Sequence, residues 1–446
     1  MSTSPLPDAA PTEPVWLPTE RKCPFDPPNA LGELRDSRPL TRLRFPDGHM
    51  GWLVTSHELV RAVLGDRRFS QVPGGQPKLQ AVRAQVFADA IQQDTTFPDN
   101  IRALVERYRQ QGRLTEAFWD VEVLQALREQ TLATLPYLDL DPPAHTRLRR
   151  ILAGHFTVRR VREYRPYIEQ IVSDRLDEME RMGPPADLVK VFAEPIPSLL
   201  TCALFGIPES ERGEFERLTE VMTSPSSAGD DVLQANADYR AFARELVERK
   251  RAQPAEDMLG ALVHSGELTD EELVGLVVIL VRASHVSTST TMTFAVATLL
   301  RDRNLWDTLR TEEAPTGDVV EELLRYTSVA QAPDIRTALE DIELGGTVIK
   351  ANETVVVSLP AANRDPKVFT QPDRVDVTRS ATKHLTFGFG IHQCLGQNLA
   401  RLELQIALTG LARRFPKLDL AVPEADILWL GADGNNYGPK ALPVTW

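Results

Sequence analysis

The chain has 446 residues, 42% hydrophobic and 25% charged, and 50 Lys plus Arg against 63 Asp plus Glu give a formal net charge of −13. Those proportions exclude an intrinsically disordered chain, and the acidic balance removes any global electrostatic case for binding nucleic acid or anionic lipid. Three cysteines, Cys23, Cys202 and Cys394, are too few for a disulfide framework.

The opening MSTSPLPDAAPTEP has no basic-then-apolar signal pattern and reads as a disordered arm over residues 1–15, with one domain over 16–446. A soluble, cytoplasmic protein is the expectation. Residues 71–140 carry three helical patterns, near Lys78–Gln93, Asn100–Gln111 and Thr115–Leu132, and residues 143 to 300 are mostly helical patterns broken by Pro and Gly. Thr269-Asp270-Glu271-Glu272 is a capping box, with Thr269 as N-cap and Glu272 returning to its amide. No proline interrupts the chain from there to Leu300, so a helix about 45 Å long is predicted. Its longest apolar run, Leu273 to Val281, is stopped by Arg282 well short of the roughly 18 residues a membrane span needs. Apolar on nearly every face in its first half, this helix should run through the core. Residues 333 to 360 alternate about a Gly345-Gly346 turn, and Leu418 to Trp446 reads as a further hairpin region. Neither a repeat nor a Pro/Ser linker divides the chain, which points to one α+β domain, mainly α with small β-sheets.

The densest chemical signal is FGFGIHQCLGQNLAR, Phe387 to Arg401. Cys394 sits where a glycine-rich loop opens onto a helical pattern, so the helix dipole and free amides favour a negative sulfur. Gly388, Gly390 and Gly396 leave room for a flat ligand and free amides for the sulfur. From the residues alone Cys394 is either a metal-ligating thiolate or a buried structural thiol, and a zinc site at His392 and Cys394 lacks further ligands.

This loop resembles the haem-binding signature of the cytochrome P450 family, aromatic-Gly-x-Gly-x-His-x-Cys-x-Gly, which Phe387, Gly388, Gly390, His392, Cys394 and Gly396 match. The resemblance covers nearly the whole chain and is closest to soluble actinobacterial members. It implies the cytochrome P450 fold and haem b with Cys394 as axial cysteinate. Glu322-Leu323-Leu324-Arg325 resembles the family's Glu-x-x-Arg helix, with Arg374 expected to complete its buried ion pair. Asn363-Arg364-Asp365-Pro366 matches the segment before that arginine. Asp141 to Arg150 resembles the helix at one haem edge, so His145 and Arg149, joined by Arg336 and His392, are the implied haem-propionate partners.

The long helix departs from the family. Its motif Ala-Gly-x-(Asp/Glu)-Thr-Thr aligns with Ala283-Ser284-His285-Val286-Ser287-Thr288, so valine stands where an acid manages proton delivery. Losing such an acid commonly costs about 10²- to 10⁴-fold in rate. Three readings stay open: Ser287, Thr288 and ordered water suffice; the substrate supplies the group; or the reaction is not reductive dioxygen activation but peroxygenation, nitric-oxide chemistry or N–O bond activation. Arg282, one turn before Val286, is a candidate for gripping an anionic substrate, a carboxylate in class, against a structural ion pair as the alternative. The resemblance implies that the arginines Arg147, Arg150, Arg159, Arg160 and Arg162 face an acidic electron donor, a ferredoxin with its reductase or a flavodoxin, with a merely solvated charged face as the alternative. The expected activity is monooxygenase-type oxidation of a small specialised metabolite, with a catalytically idle haem-bearing binding domain as the reading from another class.

Overall fold

The computed structural model describes residues 13–45, 48–71, 99–111, 140–223, 229–311, 316–330, 334–430 and 436–446. The helical patterns at Lys78–Gln93 and Thr115–Leu132 lie outside the described residues, as does the arm up to residue 12; the middle pattern forms the helix Asp99–Gln110.

Six helices position the site: α1 (Ala144–Ala153), α2 (Arg165–Met182), α3 (Pro195–Phe205), α4 (Asp270–Leu300), α5 (Thr316–Thr327) and α6 (Gln397–Arg414). The capping box forms as predicted, with Thr269 Oγ1 accepting from the Glu272 amide and the Glu272 carboxylate accepting from the Thr269 amide at 2.9 Å. By length and composition α4 could cross a membrane. Here it is the core itself: Leu273, Val274, Val277, Val281, Met292 and Phe294 are all buried, and it packs against α3 and α6 while α6 packs against α2 and α5.

The larger sheet runs in the order β1 (Val15–Trp16), β2 (Leu40–Arg44), β3 (Met50–Val54), β9 (Thr354–Val357), β6 (Asp334–Ala338) and β4 (Phe69–Ser70). Val15, assigned to the arm from sequence, pairs with Leu43 as an edge strand. Gly345 and Gly346, at φ of 56° and 79°, make the turn of a two-stranded ribbon, β7 (Ile342–Leu344) with β8 (Thr347–Ile349). The C-terminal region pairs antiparallel as read and gains a third strand. In it β11 (Pro443–Thr445) pairs on one side with β10 (Asp419–Leu420) and on the other with the distant β5 (Ala186–Asp187).

At the base of the site lies a fully buried ion pair. Glu322 and Arg325, both 0% exposed, meet through two bonds, Nε to Oε2 at 2.7 Å and Nη2 to Oε1 at 2.8 Å. The remaining Arg325 donors reach the carbonyls of Asn363 (2.9 Å), Pro372 (2.7 Å) and Arg374 (3.1 Å). All five guanidinium N–H groups therefore have acceptors, the condition under which such a charge is tolerated in a core. The third charged member is Arg379, with Nε 3.3 Å from Glu322 Oε1, rather than the expected Arg374. The chain folds back after Gln371, which leaves Arg374 contributing its carbonyl to Arg325 and its guanidinium to Gln371, while Arg379 turns inward. Asn363 extends the network: its side chain donates to Ser328 and Thr386 and accepts from the Leu385 amide at 2.6 Å, just before the cysteine loop.

Replacing Arg325 by alanine strands the Glu322 carboxylate in the core. The expected loss is about 3–5 kcal/mol of unfolding free energy in a urea titration, and Arg374→Ala, which keeps its backbone carbonyl, should fall well short of that.

Candidate active site

The loop Phe387–Cys394 is held by its own backbone. The Gly388 amide donates to Leu385 O at 2.8 Å, Gln393 to Gly390 O at 3.1 Å and Cys394 to Phe387 O at 2.8 Å. Gly390 is required twice over: its φ is 76°, and a Cβ there would lie 2.4 Å from the carbonyl oxygen of Leu64 on the helix His57–Gly65. Cys394 lies deep in the protein yet presents its surface to a cavity of ≈ 370 Å³. Burial pushes its thiol up, while the Gly396 and Gln397 amides and the Arg149 and Arg401 guanidiniums act the other way. The amides are the free N–H groups at the start of α6. Among the described residues no three His, Cys, Asp or Glu side chains gather to hold a metal, so the zinc reading gains no ligands.

One edge of the cavity is basic. His145 and Arg149 come from α1 and His392 from the cysteine loop, and the two imidazole rings lie 4.1 Å apart between centroids. Burial, then the Arg149 charge, lowers the His145 imidazole to about 4. Burial, His145, Arg336 and Arg149 lower His392 to about 2. Both rings are therefore neutral at pH 7, held so partly by the two guanidiniums beside them. An anionic group entering this edge would meet guanidinium charge and imidazole donors together, which fits a pair of carboxylates. Arg336 is not itself part of the cavity wall; it is buried and pairs with Asp334, which is. Asp141 also approaches, 4.0 Å from His392 Nε2, and accepts from the Gln71 amide.

The opposite wall belongs to α4. Ser287 and Thr288 line it as expected, with Ser284 and Thr291 beside them, whereas Val286 does not. Ser287 Oγ donates to Ala283 O at 2.7 Å and Thr291 Oγ1 to Ser287 O at 2.7 Å, so at rest these hydroxyls turn lone pairs to the cavity. Arg282 is on α4, but its side chain lies outside the described residues. His285 is turned into protein, near Lys190, and burial lowers it to about 4.

Three wall residues were missed from sequence. Thr201 on α3 hydrogen-bonds Ser284 at 2.9 Å, and Gln71 sits at the mouth near Asp141. Glu403 is buried on α6. Only Glu403 left a trace, as an acid among Leu399, Leu402, Leu404 and Leu408 on a buried helix face. Of the five arginines near α1, Arg147 and Arg150 pair with Glu272 and Glu267, Arg160 pairs with Glu163, and Arg159 and Arg162 are exposed.

A family model described as Cytochrome P450 matches residues 221–422. Pentalenic acid synthase of Streptomyces avermitilis is 38% identical over 445 residues, 99% of each chain. The 20-oxo-5-O-mycaminosyltylactone 23-monooxygenase of Streptomyces fradiae is 35% identical over 98% of this chain and 94% of its own. The solved structure of CYP105P1 in complex with filipin I superposes with a TM-score of 0.80 at 34% identity, covering 97% of this chain and 99% of that one. The chain belongs to the cytochrome P450 family. It is a P450-type oxidoreductase of bacterial type, with the P450 fold. The family implies a haem iron held by a cysteine thiolate, and the buried thiol facing a cavity with one basic edge fits that group.

Glu321 locks the loop to α5. Its carboxylate accepts from Arg401 Nη2 at 3.1 Å and from His384 at 3.1 Å, and Arg401 stacks on Phe387 at 4.5 Å. Burial acts upward, but these two partners outweigh it and hold the carboxyl down from 4.5 to about 2. A depressed carboxyl stabilises the fold above its unfolded value and loses that contribution as pH falls through the folded one. Acid titration followed by circular dichroism should show the wild type losing on the order of 2–3 kcal/mol between about pH 4.5 and about pH 2. Glu321→Gln should flatten that limb.

Proposed function

We propose that this enzyme carries out monooxygenase-type oxidation of a small specialised metabolite, with Cys394 as the axial thiolate of haem b and hydroxyl groups in place of the family's acid. The observation that carries the reading is that Cys394 and the hydroxyls Ser287, Thr288 and Thr291 line one cavity, with Val286 where the acid would stand. His145, Arg149 and His392 would hold the propionates, Phe387, Gly388 and Gly396 would form the floor of the cradle, and Arg336 would support that edge through Asp334. When bound, the haem supplies an iron that accepts single electrons and activates dioxygen, with the thiolate pushing electron density toward O–O cleavage.

The protein's own part is to manage protons and position substrate. Ser287 must release Ala283 O before it can donate, so in the resting state it accepts, holding a water or a substrate hydroxyl by its lone pairs. That water passes one proton to the reacting group and takes another from bulk solvent, while Ser287 and Thr288 fix its place. Arg282, one turn earlier on α4, binds an anionic substrate group, a carboxylate by chemistry, through its two-pronged fork. Exposed Arg159 and Arg162 offer an acidic ferredoxin a complementary patch.

A second reading, haem-thiolate chemistry without reductive dioxygen activation, is favoured by the same valine and by the Ser287 proton being held on Ala283 O. The two separate in a ferredoxin-driven assay. If Ser287 serves the relay, Ser287→Ala should lower product formation by about 10²- to 10⁴-fold and divert reducing equivalents to hydrogen peroxide. Unchanged turnover with a peroxide or N–O substrate would establish the second reading. Titrating ferric protein with matched acids and methyl esters, read at the Soret band, tests Arg282. Acids should shift the band where esters do not, and Arg282→Gln should remove the difference; equal shifts would make Arg282 a structural charge.

A further inference from the structure

Glu403 has no role in the account so far, and its surroundings are unusual. It is 4% exposed on α6, its Oε1 has no hydrogen-bond partner, and it lines the same cavity as Cys394 and the α4 hydroxyls. Its helix face is otherwise leucine and alanine. A buried carboxyl with an unpaired oxygen destabilises the fold, and a leucine in its place would remove that penalty.

Most charges on the elements packed against α6 are paired elsewhere; the exceptions include Arg175 on α2, whose Nε is buried without a partner, and the exposed Arg159 and Arg162. On α2, Arg165 pairs with Glu169, and Asp177 and Glu180 pair with Arg414. On α5, Glu321 pairs with Arg401 and His384, and Glu322 with Arg325 and Arg379. On the short helix Val158–Glu163, Arg160 pairs with Glu163. The described residues of α4 that share the cavity are apolar or hydroxyl-bearing, and Arg149, His145 and His392 hold its basic edge. Burial alone acts on Glu403, pushing its carboxyl up to about 8. The group therefore enters the cavity neutral at pH 7, with a proton to hold or release and no fixed countercharge.

We propose that Glu403, wherever it stands ionised in the ferric state, couples proton uptake to electron arrival in the haem cavity, its carboxylate taking one proton from solvent as the haem accepts one electron from its donor. This rests on the haem reading given above. The balance is simple: the one-electron donor is oxidised, the iron is reduced, the proton goes from bulk water to a Glu403 carboxylate oxygen, and the cavity's net charge does not change. Physically, an electron added at the iron raises the affinity of a nearby desolvated carboxylate for a proton, and by linkage the ionised carboxylate makes reduction harder. At lower pH the carboxyl is already protonated and the potential is independent of it.

The experiment is a spectroelectrochemical titration of the purified holoprotein, wild type and Glu403→Gln, across the pH range on both sides of 8. The thiolate-type ferrous–CO band is recorded first on each. The wild-type potential should be level at lower pH and fall as pH rises through the carboxyl's titration, and in Glu403→Gln that break should vanish. Should Glu403→Gln fail to hold haem, the reduced-minus-oxidised infrared spectrum of the wild type replaces it. A carboxylic C=O band gained on reduction at high pH, and shifted in D₂O, supports the coupling; its absence overturns it. Identical pH dependence of the potential in wild type and variant, both carrying the CO band, overturns the role of Glu403 alone. A wild-type protein without that band overturns the haem reading and this inference with it.

Discussion

The position of the reactive sulfur depends on a contact far from it, the buried pair of Glu322 and Arg325. Such a pair adds little net stability, because stripping water from two charges offsets much of their attraction. What it imposes is geometry. Each of the five Arg325 donors must find an acceptor, and three of them are carbonyls from the irregular stretch between Asn363 and Arg374. That stretch has no regular ladder of its own to set its path. Asn363, fixed in this way, holds the Leu385 amide, and from Leu385 the Gly388 turn leads to Cys394.

Around the cavity the protein keeps unlike chemistries apart. The basic edge keeps its histidines neutral by burial first and by neighbouring guanidiniums second, the α4 wall offers hydroxyl oxygens whose protons are committed to the backbone, and the thiol is balanced between burial and helix-terminal amides. Each is a local solution built from neighbours on different elements.

Much of this was legible in the sequence because it is short-range. The capping box at Thr269, the Gly345-Gly346 turn and the cysteine loop are each written in a few consecutive residues, and they form as read. What failed depends on how irregular chain folds back. Arg374 and Arg379 lie close together in sequence but far from the Glu-x-x-Arg helix, and only the turn after Gln371 decides that the second reaches Glu322. The same holds for β5, which joins the C-terminal strands across more than half the chain, and for Thr201, whose bond to Ser284 has no sequence signal. Arg336 was expected to face the cavity itself, but it pairs with Asp334, two residues away, and it is Asp334 that lines the wall.

Glu272 has a consequence beyond closing a helix end. One carboxylate oxygen accepts from the Thr269 amide and caps α4, and the other pairs with Arg147 on α1. That same helix carries His145 and Arg149, and the arginines an electron donor would approach flank it. The helix at the cavity's basic edge and the helix bearing the hydroxyl wall are thus latched through a single side chain. A displacement of α1 would therefore pull on the first turn of α4 through Glu272, the same helix that carries the hydroxyls further along.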